Sequence, residues 1–214
     1  MSFLEFVEGP LFLFAAGVFV LASLWRFVGI IRIGRKKDIS PPKGSAAGGF
    51  IAGNFRHFFP RGIFARRTWL HIVGGYGFHL GLLALVVLGA PHVAFLEDRL
   101  FGFGWTPLPR WGFILVADVA FAGLIVLWVR RISDPVMRLI SSRADHIGSI
   151  LIFLVMLTGA FAMQESHDLL RAIHMLMVDI FLIYFPFSRL FHGFTFVLSR
   201  GNTGATYGRK GMNL

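Results

Sequence analysis

Five runs of apolar residues constrain this chain more than any other feature of its sequence. They extend from Leu11 to Ile31, Trp69 to Ala90, Trp111 to Val129, Ile147 to Met163 and Leu170 to Leu198. A bilayer's hydrocarbon core is about 30 Å thick and takes roughly 20 helical residues to cross. Because lipid offers no partner for backbone N–H and C=O groups, such runs cross it as helices. The sequence therefore predicts an all-α fold: an integral membrane five-helix bundle that forms a single domain over residues 1–214.

Composition agrees with membrane insertion and limits the redox chemistry. The chain is 56% hydrophobic and has a mean hydropathy of +0.70. Its start, MSFLEFVEGP, lacks the basic n-region of a cleavable signal, so we expect the first helix to stay. The absence of cysteine excludes thiolate-bound iron–sulfur clusters, covalently attached heme and disulfides. Any electron carrier must then be a non-covalent cofactor.

Basic residues predict the orientation of the chain in the membrane. Segments 32–67, 130–143 and 200–214 contain nine, four and three Lys or Arg, sixteen in total, whereas the two opposite loops contain only Arg99, Arg110 and Arg171. The positive-inside rule therefore predicts an N-terminus outside and a C-terminus in the cytoplasm. The net charge of +10 reflects topology and contact with membrane lipid. Since no basic patch carries base-stacking aromatics, we expect no nucleic-acid partner.

The first cytoplasmic loop, residues 32–67, is long. Its part 38–48, DISPPKGSAAG, predicts a turn-rich linker. The following FIAGNFRHFFPRGIFARR interleaves phenylalanine with arginine, as interfacial segments do. This segment could lie on the membrane, under a cytoplasmic subunit, or both.

Two of the eight histidines stand out, because an ionisable ring inside a membrane span is usually functional. His174 and His192 are eighteen residues apart in the last apolar run. On one helix that is about five turns, so both rings would leave the same face, about 27 Å apart along the axis. This pattern predicts ligands for two hemes stacked across the membrane. We expect His57, His146 and His167 to be solvated or interfacial.

The second apolar run offers partner ligands, since heme b takes two axial imidazoles from facing helices. His71 and His79 differ by about 12 Å in depth and about 80° around the axis. On a continuous helix, His92 would lie about 31 Å from His71 along the axis. This separation is closer to the one expected between His174 and His192 than the separation of His71 and His79 is. However, His92 follows Pro91, which favours a helix end there and makes His92 a reserve ligand.

Other charged residues near these histidines have two possible roles each. Arg171 and Arg189 lie three residues before His174 and His192 and could pair with heme propionates. They could equally extend to the membrane interface. Asp118 and Asp179 lie within spans and, if buried, need partners.

The histidine-bearing segments resemble a known family. FPFSRLFH, with His174 eighteen residues before its terminal histidine, closely resembles the last transmembrane helix of the gamma subunit of respiratory nitrate reductase, a membrane diheme cytochrome b. RRISDPVMRLISSRADHIGSILIFLVMLTGAF resembles that family's third cytoplasmic passage and fourth helix. The resemblance extends over nearly the whole chain. It implies the cytoplasmic membrane of a bacterium or archaeon.

The resemblance also implies ligand roles. The family's last helix gives one ligand to each heme, so His192 would bind the inner heme and His174 the outer. If LHIVGGYGFH aligns with the family's second helix, His71 is the inner ligand and His79 the outer. If FHLGLL aligns with the first family histidine instead, His79 is the inner ligand and His92 the outer. A single-heme protein also stays possible.

The function implied by the resemblance is quinol oxidation, with quinone as the substrate. Quinol would be oxidised on the outer side and release two protons there. Its electrons would cross to a cytoplasmic iron–sulfur subunit of a larger redox complex. Arg110 is the candidate for holding a quinone oxygen, or else an interfacial anchor. The short outer loop and long cytoplasmic loop depart from the nitrate reductase pattern, so sulfur-metabolism complexes of the same cytochrome family, and the reverse direction of electron flow, stay open.

A different class of function is also compatible with five spans and a basic inner surface. A heme-free membrane scaffold or transporter component could anchor a cytoplasmic enzyme. That hypothesis leaves the paired histidines unexplained.

Overall fold

The structure is a computed structural model that describes residues 1–34, 38–56, 58, 62–163 and 167–212, without the side chain of Phe64. All regular secondary structure in these ranges is helical. The helices are α1 (Phe3–Ile33), α2 (Ala46–Arg56), α3 (Ile63–Leu88), α4 (Ala90–Leu96), α5 (Arg110–Ser133), α6 (Pro135–Ile140), α7 (Arg143–Ala162), α8 (Asp168–Tyr184) and α9 (His192–Arg209).

Five helices are long and apolar enough to cross a membrane. They are α1, the part Ala65–Leu88 of α3, α5, α7 and the segment Asp168–Phe187, which contains α8. Large apolar side chains such as Leu13 and Trp25 point outward, 71% and 73% exposed, as lipid-facing residues do. The predictions of an all-α fold and of five helices long and apolar enough to cross a membrane are confirmed. The side on which each terminus lies stays a prediction.

Helix α1 begins at Phe3, earlier than the predicted start at Leu11. Ser2 and Glu5 form a reciprocal capping box, in which each side chain accepts a backbone N–H of the other residue. One turn of π-helix at Val7–Leu11 accommodates Pro10, which lacks an N–H. The capping box therefore extends α1 over residues 3–10, a segment that contains Glu5 and Glu8 and precedes the first apolar run.

The described chain divides into two compact units. The first contains Met1–Ala65 and Leu154–Leu214, and the second contains Arg66–Phe153. The single bundle domain stays a prediction.

In the first unit, α2 packs against α9 through glycine. A Cβ at Gly53 would lie 2.8 Å from the Gly204 Cα, and one at Gly208 would lie 2.6 Å from the Gly49 Cα. Such backbone contact is the small-residue packing of closely approaching helices. The linker predicted over 38–48 therefore ends sooner, because α2 begins at Ala46.

Glycine also brings α3 and α5 together in the second unit. A Cβ at Gly81 would lie 2.8 Å from the Ala120 Cβ, and one at Gly123 would lie 2.5 Å from the Phe78 backbone nitrogen. Gly75 has nothing within 4 Å of its Cβ position. Gly81 therefore serves helix packing, whereas Gly75 leaves an open place on α3.

The last apolar run is not one helix. Helix α8 ends at Tyr184, two short 3₁₀ turns follow at Phe185–Phe187 and Arg189–Phe191, and α9 begins at His192. Pro186 has no N–H and disfavours continuation of the α-helix, and Ser188 between the turns is extended at φ −103° and ψ 176°. We call Phe185–Phe191 the bend. The predicted helix over Leu170–Leu198 is wrong.

Candidate functional site

His174 packs against α7 by a defined edge of its ring. Its Nδ1 lies 3.3 Å from the Thr158 hydroxyl oxygen. That hydroxyl is 2.8 Å from the Leu154 carbonyl and donates its proton there, so it accepts from the His174 Nδ1–H. A Cβ at Gly159 would lie 3.0 Å from the His174 Cε1, so the ring covers this glycine. This contact favours the tautomer with its proton on Nδ1 and its lone pair on Nε2.

His192 is the first residue of α9 and lies beyond the bend. Its Nδ1 is 2.9 Å from the Arg189 carbonyl oxygen, and the residue is exposed. A carbonyl can only accept, so Nδ1 donates, and in the neutral ring Nε2 again carries the lone pair. The prediction that His174 and His192 lie on one continuous helix is wrong, because the helix between them is interrupted. Their common face and their separation of about 27 Å, which rested on that helix, stay predictions. The ten residues of α8 after His174 alone contribute about 15 Å of rise.

His79 on α3 repeats this contact. Its Nδ1 is 2.7 Å from the carbonyl oxygen of Gly75, one turn earlier on the helix. Its ring centroid is 4.8 Å from that of Phe78, in an edge-to-face arrangement. The His79 ring is thereby oriented by its own helix and has the Nδ1-protonated tautomer.

His92 lies on α4, which begins just after α3 has ended. Gly89 separates α3 from α4 with an extended backbone, so the helix end expected before Pro91 is confirmed. The separation of about 31 Å computed for one continuous helix therefore does not apply. The His92 Nδ1 is 2.6 Å from the Leu85 carbonyl oxygen in the last turn of α3, and it too donates from Nδ1.

The other histidines differ from these four. His71 is exposed on α3, and its ring has no hydrogen bond within the described ranges. The His146 Nδ1 accepts from the Trp128 indole N–H at 3.3 Å, which favours the opposite tautomer. His167 is exposed before α8. His57 lies outside the described residues.

The structure gives the proposed arginine sites mixed surroundings. Arg171 forms an ion pair with Glu8 of α1, whose side chain is 14% exposed, so an ion pair competes with a propionate for it. Arg189 is exposed next to His192. Arg110 is exposed at the first position of α5. Their cofactor and quinone roles stay predictions.

The two aspartates that lie within candidate spans are in opposite environments. Asp118 is exposed on α5, whereas Asp179 on α8 is 1% exposed. Among the described side chains, no three His, Asp or Glu gather closely enough to hold a bare metal ion. A heme iron needs only two imidazoles.

Sequence reasoning missed the residues that position these histidines. Thr158 and Gly159 orient His174, and Arg26 contacts the bend. Arg26 had a visible signal, because an arginine inside an apolar run is costly unless it has partners. Thr158 and Gly159 had no such signal, except that one is polar and the other small within an apolar run.

Comparison with known proteins gives little functional information. No protein-family profile matches the chain, and no solved structure matches it. A protein of Nitratidesulfovibrio vulgaris (strain Hildenborough) is 27% identical over 165 residues, which cover 76% of this chain and 73% of that one. Its name is simply "Protein", so this similarity suggests no activity.

Proposed function

We propose that this chain is the diheme b membrane-anchor subunit of a respiratory oxidoreductase complex. In this role it oxidises quinol and passes the electrons to a cytoplasmic iron–sulfur partner. The observation that carries the proposal is the shared contact of His79, His92, His174 and His192. In each ring Nδ1 lies within 2.6–3.3 Å of an oxygen that accepts its proton.

This contact fits axial ligation. Histidines that bind metal through Nε2 usually donate Nδ1–H to a carbonyl, carboxylate or hydroxyl, which fixes the tautomer and the ring orientation. His146 has the opposite arrangement, since its Nδ1 accepts a hydrogen bond. The pattern therefore separates candidate ligands from a structural histidine of the same chain.

Four ligands suffice for two hemes b. The shared contact favours the second alignment of the resemblance, in which His79 and His192 belong to the inner heme and His92 and His174 to the outer. Bound heme b would supply reversible one-electron chemistry at each position. His71 is the ligand of the competing alignment, and within the described ranges it lacks the contact.

Quinol oxidation releases two electrons and two protons as the two hydroxyls become carbonyls. Arg110 is the residue proposed to hold a quinone oxygen by donating an N–H. Arg110 is the first residue of α5. A cation at the N-terminus of a helix interacts unfavourably with the helix dipole, so the charge of Arg110 does not stabilise α5. The positive-inside bias predicts that this end of α5 lies on the outer side, where the protons would leave.

The electrons need an acceptor outside this chain, because the sequence has no cysteine for an iron–sulfur cluster. The sixteen basic residues of the predicted cytoplasmic segments favour a cytoplasmic partner with an acidic docking face. Nitrate reductase-like and sulfur-metabolism complexes both provide such a partner.

The proposal is tested by counting heme in single variants with a pyridine hemochrome assay. We expect His79→Ala, His92→Ala, His174→Ala and His192→Ala each to bind about half the heme of the wild type, since each removes one axial ligand. His146→Ala is the matched control and should keep the wild-type amount. His71→Ala should keep it as well.

Three outcomes would change this account. If His71→Ala lost half of its heme and His92→Ala lost no heme, the first alignment would be restored. Unchanged heme in all four ligand variants would overturn the ligand assignment. A wild-type protein that binds no heme when supplied with it would favour the heme-free scaffold.

A further inference from the structure

Asp179 is the unusual ionisable residue of this chain. It lies on α8, eleven residues after the helix begins at Asp168, and is 1% exposed. Neither carboxylate oxygen has a hydrogen-bond partner among the described residues. Buried polar groups nearly always have such partners, so this carboxyl group calls for an explanation.

Among the described residues, no cation forms a hydrogen bond or an ion pair with Asp179. Besides Asp179, the charged or titratable residues of α1 and α8 are Glu5, Glu8, Arg26, Arg32, Asp168, Arg171, His174 and Tyr184, and residues 154–162 of α7 contribute none. Arg171 is paired with Glu8, and Arg26 contacts the backbone carbonyls of the bend. His174 is five residues away, about 140° around the helix, with Nδ1 directed at Thr158.

The charge state of Asp179 follows from these surroundings. An ionised carboxylate in an apolar interior is far less favourable than a neutral carboxylic acid unless it is paired and hydrogen-bonded. The Asp179 side chain is 1% exposed, and it lies within the candidate span Asp168–Phe187. Taking up one proton removes the charge and turns the group into a donor as well as an acceptor.

We propose that Asp179 is a proton-binding site in the membrane interior and is a neutral carboxylic acid at pH 7. The site does not depend on heme or quinone. It gives the chain a group that can take up or release a proton within the span. Asp168, at the exposed start of the same helix, provides the control position.

The experiment is infrared spectroscopy of the purified full-length protein at pH 7. The C=O stretch of a carboxylic acid is separate from the bands of ionised carboxylates. We expect this band in the wild type and in the control Asp168→Asn, a shift of the band in heavy water, and no band in Asp179→Asn. Loss of ionised carboxylate absorption in Asp179→Asn, without loss of the acid band, would overturn the proposal.

Isotope labelling keeps the test independent of whether Asp179→Asn folds. Wild-type protein made with carboxyl-¹³C aspartate should show the acid band at lower frequency, whereas the same label in glutamate should leave it in place. An acid band that moves only with labelled glutamate, or an absent band, would contradict the proposal. Neither measurement requires a redox reaction, so failure of the heme proposal would leave this result interpretable.

Discussion

The guanidinium group of Arg26 donates to the Ser188 carbonyl oxygen at 2.9 Å, although the two residues are 162 positions apart. The same Nη1 lies 2.5 Å from the Pro186 carbonyl, and the guanidinium carbon is 4.5 Å from the Phe191 ring centroid. Ser188 supports the turn itself, since its hydroxyl donates to Phe185 and accepts from the Leu190 N–H. Arg26 thus satisfies carbonyls that the interrupted helix leaves open. His192 follows this bend directly.

Replacement of Arg26 should therefore destabilise the bend. We expect Arg26→Leu to lower the free energy of unfolding by about 1–3 kcal/mol for each carbonyl that loses its partner. Circular dichroism of thermal unfolding in detergent measures the loss. Arg32→Leu is the matched control, because Arg32 is exposed in the last turn of the same helix. Equal stability of the two variants would show that Arg26 does not support the bend.

The glycine contact between α2 and α9 predicts a strong effect of side-chain size. In Gly204→Val, the new Cβ would overlap the Gly49 carbonyl and lie 2.9 Å from the Gly53 Cα. We expect about 1–3 kcal/mol of destabilisation from this overpacking and faster hydrogen exchange in α2 and α9. The control is Gly48→Ala, whose Cβ would meet only the Ser45 side chain, at 3.3 Å. Exchange rates that do not differ between the variants would contradict the close packing.

Gly159 offers a way to disturb one proposed ligand without removing it. In Gly159→Ala, the added Cβ lies 3.0 Å from the His174 Cε1, so the ring must move by a few tenths of an ångström. If His174 binds heme, redox titration should show a changed midpoint potential for one heme and an unchanged one for the other. Gly17→Ala, where nothing lies within 4 Å, should leave both unchanged. Identical titrations for the wild type and Gly159→Ala would argue against His174 as a ligand.

We expect Asp134, which lies between α5 and α6, to make the stability of the fold depend on pH. The backbone N–H groups of Met137 and Val136, 3.2 and 2.8 Å from its Oδ1, together with Arg130 hold the pKa of this carboxyl below its usual 3.8. The unfolded chain therefore takes up this proton at a higher pH than the folded chain. The stabilisation by ionised Asp134 is complete well above pH 3.8 and is lost as the pH falls through the folded-state pKa.

The measurement compares melting temperatures of the wild type, Asp134→Ala and Asp134→Asn from pH 7 to pH 3. Asp134→Ala should melt lower at pH 7, because α6 loses its N-terminal cap, and the difference should shrink in acid. Asp134→Asn keeps a capping oxygen and should lose less. A deficit of Asp134→Ala that is equal at all pH values would show that the charge has no part.

Much of the membrane architecture was predictable from sequence. Apolar length alone predicts the five spans, and Pro91 predicts the end of α3 near Leu88. These features depend on the local match between residues and lipid and on the missing N–H of proline. They need no knowledge of which helices touch.

The bend and α9 were not predictable in the same way. Pro186 stands in an otherwise apolar run, and helices often tolerate proline within membranes. The partner that satisfies its open carbonyls, Arg26, is 160 residues away. Helix α9 contains Gly201, Gly204 and Gly208, which disfavour an isolated helix, yet they allow the close contact with α2 that stabilises it.

The candidate site shows the same limit. Histidine type and spacing give five candidate rings, but the choice between His71 and His92 that we propose depends on the carbonyl and hydroxyl groups near Nδ1. For His92 that oxygen belongs to Leu85, on the preceding helix. Sequence patterns do not reveal such acceptors, because they arise where a helix ends.

The central claim is tested most directly by the heme content of the wild-type protein. Protein purified in detergent after expression with sufficient heme would be measured by the pyridine hemochrome assay and by a dithionite-reduced minus oxidised spectrum. The account predicts about two hemes b per chain, because four Nδ1-oriented histidines supply two axial pairs. A folded, five-span protein that binds no heme would contradict it.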